Sequence, residues 1–304
     1  MRYAFVKELT KQAEKNKNIM LLTGDLGYSV FEEFRDKFPK QFINAGVAES
    51  NMMGVATGLA MSGKIVFVYS IATFATLTAF ESIRNDIALH NAHVIIVGSG
   101  AGISYADAGA SHHAVEDIAL LRTIPNMHIF APADPVETAW ATKMAIVLKK
   151  PTYLRLGKRG EPVLYAKAPD LKFGKGSILK TGSDFAIIST GNIVYNSLLS
   201  AQLLEKRGLK GTVVSMHTLK PIDKKLIKQI CSKFKHIFTV EEHYEIGGLG
   251  SIVSDIIVKE GFTNKLTKIA LPDIFIREVG TQEFLRKKYN LSPEKIAKTI
   301  LSKI

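Results

Sequence analysis

Residues 42–60 read Phe42-Ile43-Asn44-Ala45-Gly46-Val47-Ala48-Glu49-Ser50-Asn51-Met52-Met53-Gly54-Val55-Ala56-Thr57-Gly58-Leu59-Ala60. A short β-like run gives way to a helical pattern, and the change of period sets one carboxylate, Glu49, at the helix start. The first turn of a helix favours a carboxylate through the macrodipole whatever the protein does. Gly54 and Gly58, four apart, share a helix face and permit close approach of another element. Position alone therefore suits a structural role.

Working outward, residues 3–15 read as an amphipathic helix, and Ile19-Met20-Leu21-Leu22-Thr23 as a buried strand ending in Gly24-Asp25-Leu26-Gly27. Strand-like runs at 65–69, 93–98, 128–131 and 152–156 alternate with helical patterns at 49–62, 76–90, 115–123 and 134–149. Such alternation implies a parallel sheet covered by helices on both faces, with ligands expected beyond the carboxyl ends of the strands. Between about 157 and 182 the pattern lapses into Gly157-Lys158-Arg159-Gly160-Glu161-Pro162 and Gly174-Lys175-Gly176, the loop chemistry of a domain boundary. A second series follows, with strands at 185–188, 212–216, 237–240 and 266–270 and helices at 193–207, 223–233, 249–260 and 293–303. The expected fold class is α/β, with two doubly wound domains at 1–165 and 166–304, the second smaller and each with its own sheet.

The chain has 304 residues, 46% hydrophobic and 22% charged, enough for two cores. A net charge of +12 and a pI near 9.5 suit anionic partners, including phosphorylated small molecules. Lys and Arg are interspersed with Asp and Glu and form no basic run with interleaved aromatics, which argues against nucleic acid. One cysteine, Cys231, excludes an internal disulfide and a cysteine metal site. Charges interrupt the N-terminal residues where a signal peptide needs its apolar core, and no apolar run approaches the roughly 20 residues of a membrane span. A soluble, cytoplasmic protein is expected.

The run from Gly46 to Ala60 resembles the glutamate motif of the thiamine-diphosphate enzymes of the transketolase family. The resemblance implies a pyrimidine-binding domain followed by the transketolase C-terminal domain, and a catalytic, cofactor-binding Glu49 that hydrogen-bonds N1' of the aminopyrimidine. Tyr69 to Asp86 resembles the segment that lines this ring, with Phe74 at its second aromatic position and Ile71 at its first. Ala106 to Met127 is similar to the transketolase histidine motif, which implies a catalytic, substrate-contacting His112; a histidine poised near neutrality suits proton transfer to a developing alkoxide. Adjacent His113 stands at a more variable position, expected to be solvated, and the pair lacks a third ligand at metal spacing. Asp25 is implied beside the cofactor's thiazolium ring.

Two departures bear on the substrate. The aspartate that reads a substrate hydroxyl in relatives aligns with Ala108, with Asp107 one residue earlier; the phosphate-reading arginine aligns with Lys158, with Arg159 beside it. Lysine binds phosphate as a point charge and lacks the bidentate fork. His217 to Asp223 and Val240 to Gly250 resemble the C-terminal domain, and Gly247-Gly248 reads as a possible anion cradle at a helix start.

The family's cation motif, Gly-Asp-Gly followed by asparagine, does not occur in these residues. The resemblance therefore implies a split enzyme. An N-terminal subunit would carry that motif and hold the Mg2+ or Ca2+ on the pyrophosphate of thiamine diphosphate, so this chain is expected to hold no metal. The working unit would be an α2β2 heterotetramer around a homodimer of this chain. The activity implied is transfer of a two-carbon ketol unit from a ketose to an aldose, both phosphorylated. Alternatives are the β subunit of a 2-oxoacid dehydrogenase, a deoxyxylulose-phosphate-synthase-like enzyme, and a catalytically silent regulatory partner.

Overall fold

A computed structural model describes residues 1–304. Twelve strands are β1 (Ile19–Thr23), β2 (Phe42–Asn44), β3 (Ile65–Ile71), β4 (Val94–Ser99), β5 (His128–Phe130), β6 (Thr152–Leu156), β7 (Ser177–Lys180), β8 (Phe185–Ser189), β9 (Gly211–Ser215), β10 (Thr218–Lys220), β11 (His236–Tyr244) and β12 (Lys265–Leu271). They form a seven-stranded sheet, β10-β5-β6-β4-β3-β1-β2, and a five-stranded sheet, β12-β11-β8-β9-β7. Only β10 and β7 run antiparallel to their neighbours. Runs such as Val94-Ile95-Ile96-Val97 and Phe185-Ala186-Ile187-Ile188 are buried throughout, as parallel strands with both faces covered must be.

The helix Glu49–Met61 buries Glu49, Met52, Met53, Ala56 and Thr57 and turns Ser50, Asn51, Gly54, Val55 and Gly58 outward. Both sets follow the helical repeat, so one face packs on β3 and the other faces away from the chain. One apolar cluster of 38 buried residues runs from Met20 and Met53 through Tyr153 to Val214 and Ile256. The two sheets thus share a core.

Two sheets form as expected, with one strand, β10, exchanged between the halves. After β9 the chain crosses to the first sheet, where Ala131 N–H donates to the His217 carbonyl (2.9 Å) and β10 pairs with the exposed edge of β5. A three-residue strand carries too few residues to show a period. The helical pattern expected at 76–90 is a π-helical turn at Phe74–Thr78, a short α-helix at Phe80–Ser82 and a second π-helical stretch at Ile83–Ala88. Such wide turns are rare and cluster at functional sites. No helix is long and apolar enough to cross a membrane.

Second-sheet strand ends are taken up by the first half of the chain. Gly191 N–H donates to Ala131 O (3.1 Å), Ser215 hydroxyl to Glu137 (2.8 Å), and Arg155 to the Glu242 carbonyl (3.0 Å). The crevice where an α/β sheet ordinarily binds a ligand is here an internal packing surface.

Candidate active site

The sequence-predicted residues gather at or just beyond the carboxyl ends of β1, β2, β3, β4 and β6 of the first sheet. Chain order reverses about β1, because β2 lies on one side and β3 on the other. Glu49 enters above this switch point. Its side chain is buried, its Oε1 accepts from the Ser70 hydroxyl of β3 (2.8 Å), and the same oxygen lies 3.4 Å from where a Cβ on Gly24 would sit. Ser70 is fully buried in an otherwise apolar strand. A side chain at residue 24 would narrow the space beside the carboxylate, so the glycine keeps it open.

Asn44, at the end of β2, joins the two loops around this point. Its Oδ1 accepts from Asp25 N–H (3.0 Å) and Gly46 N–H (3.1 Å), and its Nδ2 donates to Asp25 Oδ1 (2.9 Å). Asp25 is exposed and held in the left-handed region, φ 56°. Its side chain accepts from Asn44 Nδ2 and from the Tyr28 hydroxyl (3.2 Å).

From β3 the wall continues through Ile71, buried, to half-exposed Phe74 in the first π-helical turn. Ser50 hydroxyl donates to Thr78 O (3.0 Å), which ties the start of the Glu49 helix to that turn. The Phe74 and His112 rings meet edge to face, centroids 5.1 Å apart at 69°. His112 Nδ1 is 3.0 Å from the Ser111 hydroxyl. Tyr105 also approaches His112, centroids 6.1 Å apart, and Lys158 Nζ stands 4.3 Å over the Tyr105 ring. Gly100, φ 88°, makes room for this: a Cβ there would fall 2.1 Å from the Tyr105 ring.

Lys158 also donates to both Asp107 oxygens (2.9 and 3.1 Å), which holds the Asp107 carboxyl below the usual carboxylate range. Arg2 Nε fixes the Lys158 carbonyl (2.6 Å). Asp107, Lys158 and Arg159 line a cleft of about 250 Å³ whose far wall is Gly280–Glu283, from the second half of the chain. One line of contacts therefore runs from the Phe74 wall to this cleft.

His113 corrects the expectation of a solvated residue. It is 3% exposed, its Nε2 has no partner, and burial pushes its imidazole below the ordinary histidine range against an opposing pull from Glu242. The anion cradle expected at Gly247-Gly248 is filled from within: the Glu241 carboxylate accepts from Leu249 N–H and Gly250 N–H (both 2.7 Å). No group of three or more His, Cys, Asp or Glu side chains is placed to hold a metal ion.

Sequence reasoning passed over Ser70, Asn44, Tyr105, Arg155 and Gln282. Arg155 is buried and pairs with Asp117 (2.7 Å), to which the Tyr153 hydroxyl also donates (2.6 Å). Gln282 donates to the buried Glu242 carboxylate (2.9 Å) and to Ser104 (3.2 Å), which fixes the cleft's far wall. Ser70 and Arg155 did leave a signal, a polar residue inside a buried apolar strand.

Residues 1–161 match the family model "Transketolase, pyrimidine binding domain", and residues 174–296 match "Transketolase, C-terminal domain". A protein of Methanocaldococcus jannaschii described as "Putative transketolase C-terminal section" is 40% identical over all of this chain and 96% of its own length. An apulose-4-phosphate transketolase subunit of Phocaeicola vulgatus is 34% identical over 99% of this chain and 96% of its own. A solved structure described as "Split gene transketolase, inactive beta4 tetramer" superposes with a TM-score of 0.89 at 37% identity, covering 99% of this chain and 96% of that one.

Proposed function

The chain belongs to the transketolase family, and from that premise we propose that it is one subunit of a split, thiamine-diphosphate-dependent transketolase that moves a two-carbon ketol unit from a ketose to an aldose. The observation that carries this reading is the placement of buried Glu49 at the β1–β3 switch point, with Phe74 and His112 on the adjoining wall. A buried carboxylate suits a ring nitrogen it can share a proton with, and Phe74 and Ile71 offer an apolar face to the same ring. These residues fit the aminopyrimidine end of the cofactor.

When bound, thiamine diphosphate supplies the carbon nucleophile that the protein side chains lack. Glu49 would hold a proton at N1', with one of its carboxylate oxygens fixed by the Ser70 hydroxyl. His112 exchanges protons with the substrate's oxygens, its ring held at Nδ1 by the Ser111 hydroxyl. Asp25 would face the thiazolium side of the cofactor. Lys158 and Arg159 attract an anionic substrate end and Asp107 shares their cleft.

The pyrophosphate and its Mg2+ or Ca2+ are assigned to a partner chain of the N-terminal transketolase type, because the Gly-Asp-Gly motif is not among these residues. Assembly as α2β2 around a homodimer of this chain is supported by the outward face of the Glu49 helix, where Cβ atoms on Gly54 and Gly58 would meet nothing within 4 Å. The domains are assigned to 1–165 and 166–304. The description of the solved split-gene relative as an inactive β4 tetramer fits a chain that self-associates and needs a partner for turnover.

The test is reconstitution with a chain carrying Gly-Asp-Gly and a downstream asparagine, assayed with hydroxypyruvate or xylulose 5-phosphate against pyruvate as donor. Ketol transfer from the first two is expected. Turnover of pyruvate alone would move the assignment to the decarboxylating relatives.

A further inference from the structure

In the cleft beyond His112 the ammonium of Lys158 is already engaged. Two of its hydrogen bonds go to the Asp107 oxygens at 2.9 and 3.1 Å, and its remaining face lies 4.3 Å over the Tyr105 ring. An ammonium has three donors, so little of its bonding capacity is left for a ligand. The cleft carries two cations, Lys158 and Arg159, and two anions, Asp107 and Glu283. Its formal charges cancel, which is an unusual setting for a phosphate dianion.

Asp107 and Lys158 differ in mobility. The Lys158 side chain is 21% exposed, confined by Tyr105 and by the Arg2 contact to its carbonyl, whereas the Asp107 side chain is 67% exposed. The carboxylate is the partner that can swing away. Its loop is anchored on either side of it, by Gly280 N–H on the Ala106 carbonyl (3.1 Å) and by Ala108 N–H on the Tyr105 carbonyl (2.9 Å), so rotation of the side chain suffices.

We propose that Asp107 is a specificity-determining residue that occupies Lys158 as an internal stand-in for the anionic end of a substrate. A sugar with a charged terminus has to displace the Asp107 carboxylate from Lys158 and approach it against like charge. A sugar with an uncharged terminus leaves the pair intact and meets the hydroxyl and carboxylate acceptors that line the same cleft. Asp107 thereby narrows the advantage that a phosphorylated substrate would otherwise have over an unphosphorylated one. The inference rests on the transketolase reading for the identity of the substrate, but the competition at Lys158 can be measured without turnover.

Two measurements separate these levels. Inorganic phosphate is titrated into the purified full chain, followed by 31P line broadening, for the native protein, Asp107→Asn, Lys158→Gln and the double variant. Asp107→Asn is expected to bind phosphate roughly three- to tenfold more tightly than the native chain, the size set by an exposed ion pair plus loss of a repelling charge. The gain is expected to vanish when Lys158→Gln is added. Equal or weaker binding by Asp107→Asn, or a gain that persists without Lys158, overturns the proposal. In the reconstituted enzyme, Asp107→Asn is expected to lower KM for glyceraldehyde 3-phosphate by a similar factor and to leave KM for glyceraldehyde near its native value. A parallel fall for both acceptors overturns selectivity. If native enzyme transfers no ketol group, the functional reading fails while the phosphate titration still decides the role of Asp107.

Discussion

The His112 imidazole and the Phe74 ring meet edge to face, with centroids 5.1 Å apart. This contact joins two segments 38 positions apart, the π-helical turn after β3 and the loop after β4, into one wall beside Glu49. His112→Ala in the reconstituted enzyme is expected to lower kcat by about 10²- to 10⁴-fold, the range of a positioned acid–base group. Phe74→Ala is expected to weaken thiamine diphosphate binding by roughly three- to tenfold, from loss of one aromatic contact. Steady-state kinetics and a cofactor titration separate the two effects.

Glu49 is expected to answer differently from its support. Ser70→Ala removes one hydrogen bond to a carboxylate, worth about 1.5–3 kcal/mol, and should reduce kcat roughly 10- to 100-fold while leaving the Glu49 carboxyl in place. Glu49→Gln should abolish measurable turnover. Circular dichroism should show both variants folded.

Gly54 and Gly58 carry a prediction of opposite signs. Replacing both with Ala on an open helix face should stabilise the isolated chain by about 1 kcal/mol per position through helix propensity. If that face packs closely on a second copy, the same change should weaken self-association. Thermal unfolding of the dilute chain and light scattering across a concentration series read the two effects independently.

Glu137 gives the fold a pH dependence. It is fully buried, accepts from Ala133 N–H (2.6 Å), the Tyr165 hydroxyl (2.6 Å) and the Ser215 hydroxyl (2.8 Å), and burial pushes its carboxyl up from 4.5 to about 7. A folded-state value above the unfolded one means stability fully present below pH 4.5 and lost as pH rises through about 7. The loss is on the order of 3 kcal/mol. Glu137→Gln should flatten this slope, because Ala133 N–H needs an acceptor while both hydroxyls can turn to accept from an amide. Tm measured from pH 5 to 8.5 for both proteins tests it; parallel curves would sink the assignment.

The alternation of strand and helix made the α/β architecture legible, because buried parallel strands are written as continuous apolar runs such as Val94 to Val97. Glu49, Phe74 and His112 were legible through long motifs. Their supports were not. Ser70 and Asn44 act across strands, so nothing in their own neighbourhoods of sequence marks what they bind. His113 looked solvated beside His112, but the tight turn Ala110–His112 ends before it, and extended His113 is buried within reach of the Glu242 charge. The glycine pair at 247–248 looked open because the carboxylate that fills the helix start, Glu241, lies in the preceding strand. Wide π-helical turns at 74–78 and 83–88 shift the helical repeat by too little for a periodicity reading to separate from an ordinary helix.

The central claim is that Glu49 belongs to half of a site. It is tested most directly by titrating thiamine diphosphate with Mg2+ into this chain alone, the Gly-Asp-Gly partner alone and their mixture, and measuring ketol transfer in each. The account predicts saturable binding and transfer only in the mixture, with transfer lost in a mixture containing Glu49→Gln. Full ketol transfer by this chain alone, or undiminished transfer with Glu49→Gln, would contradict it.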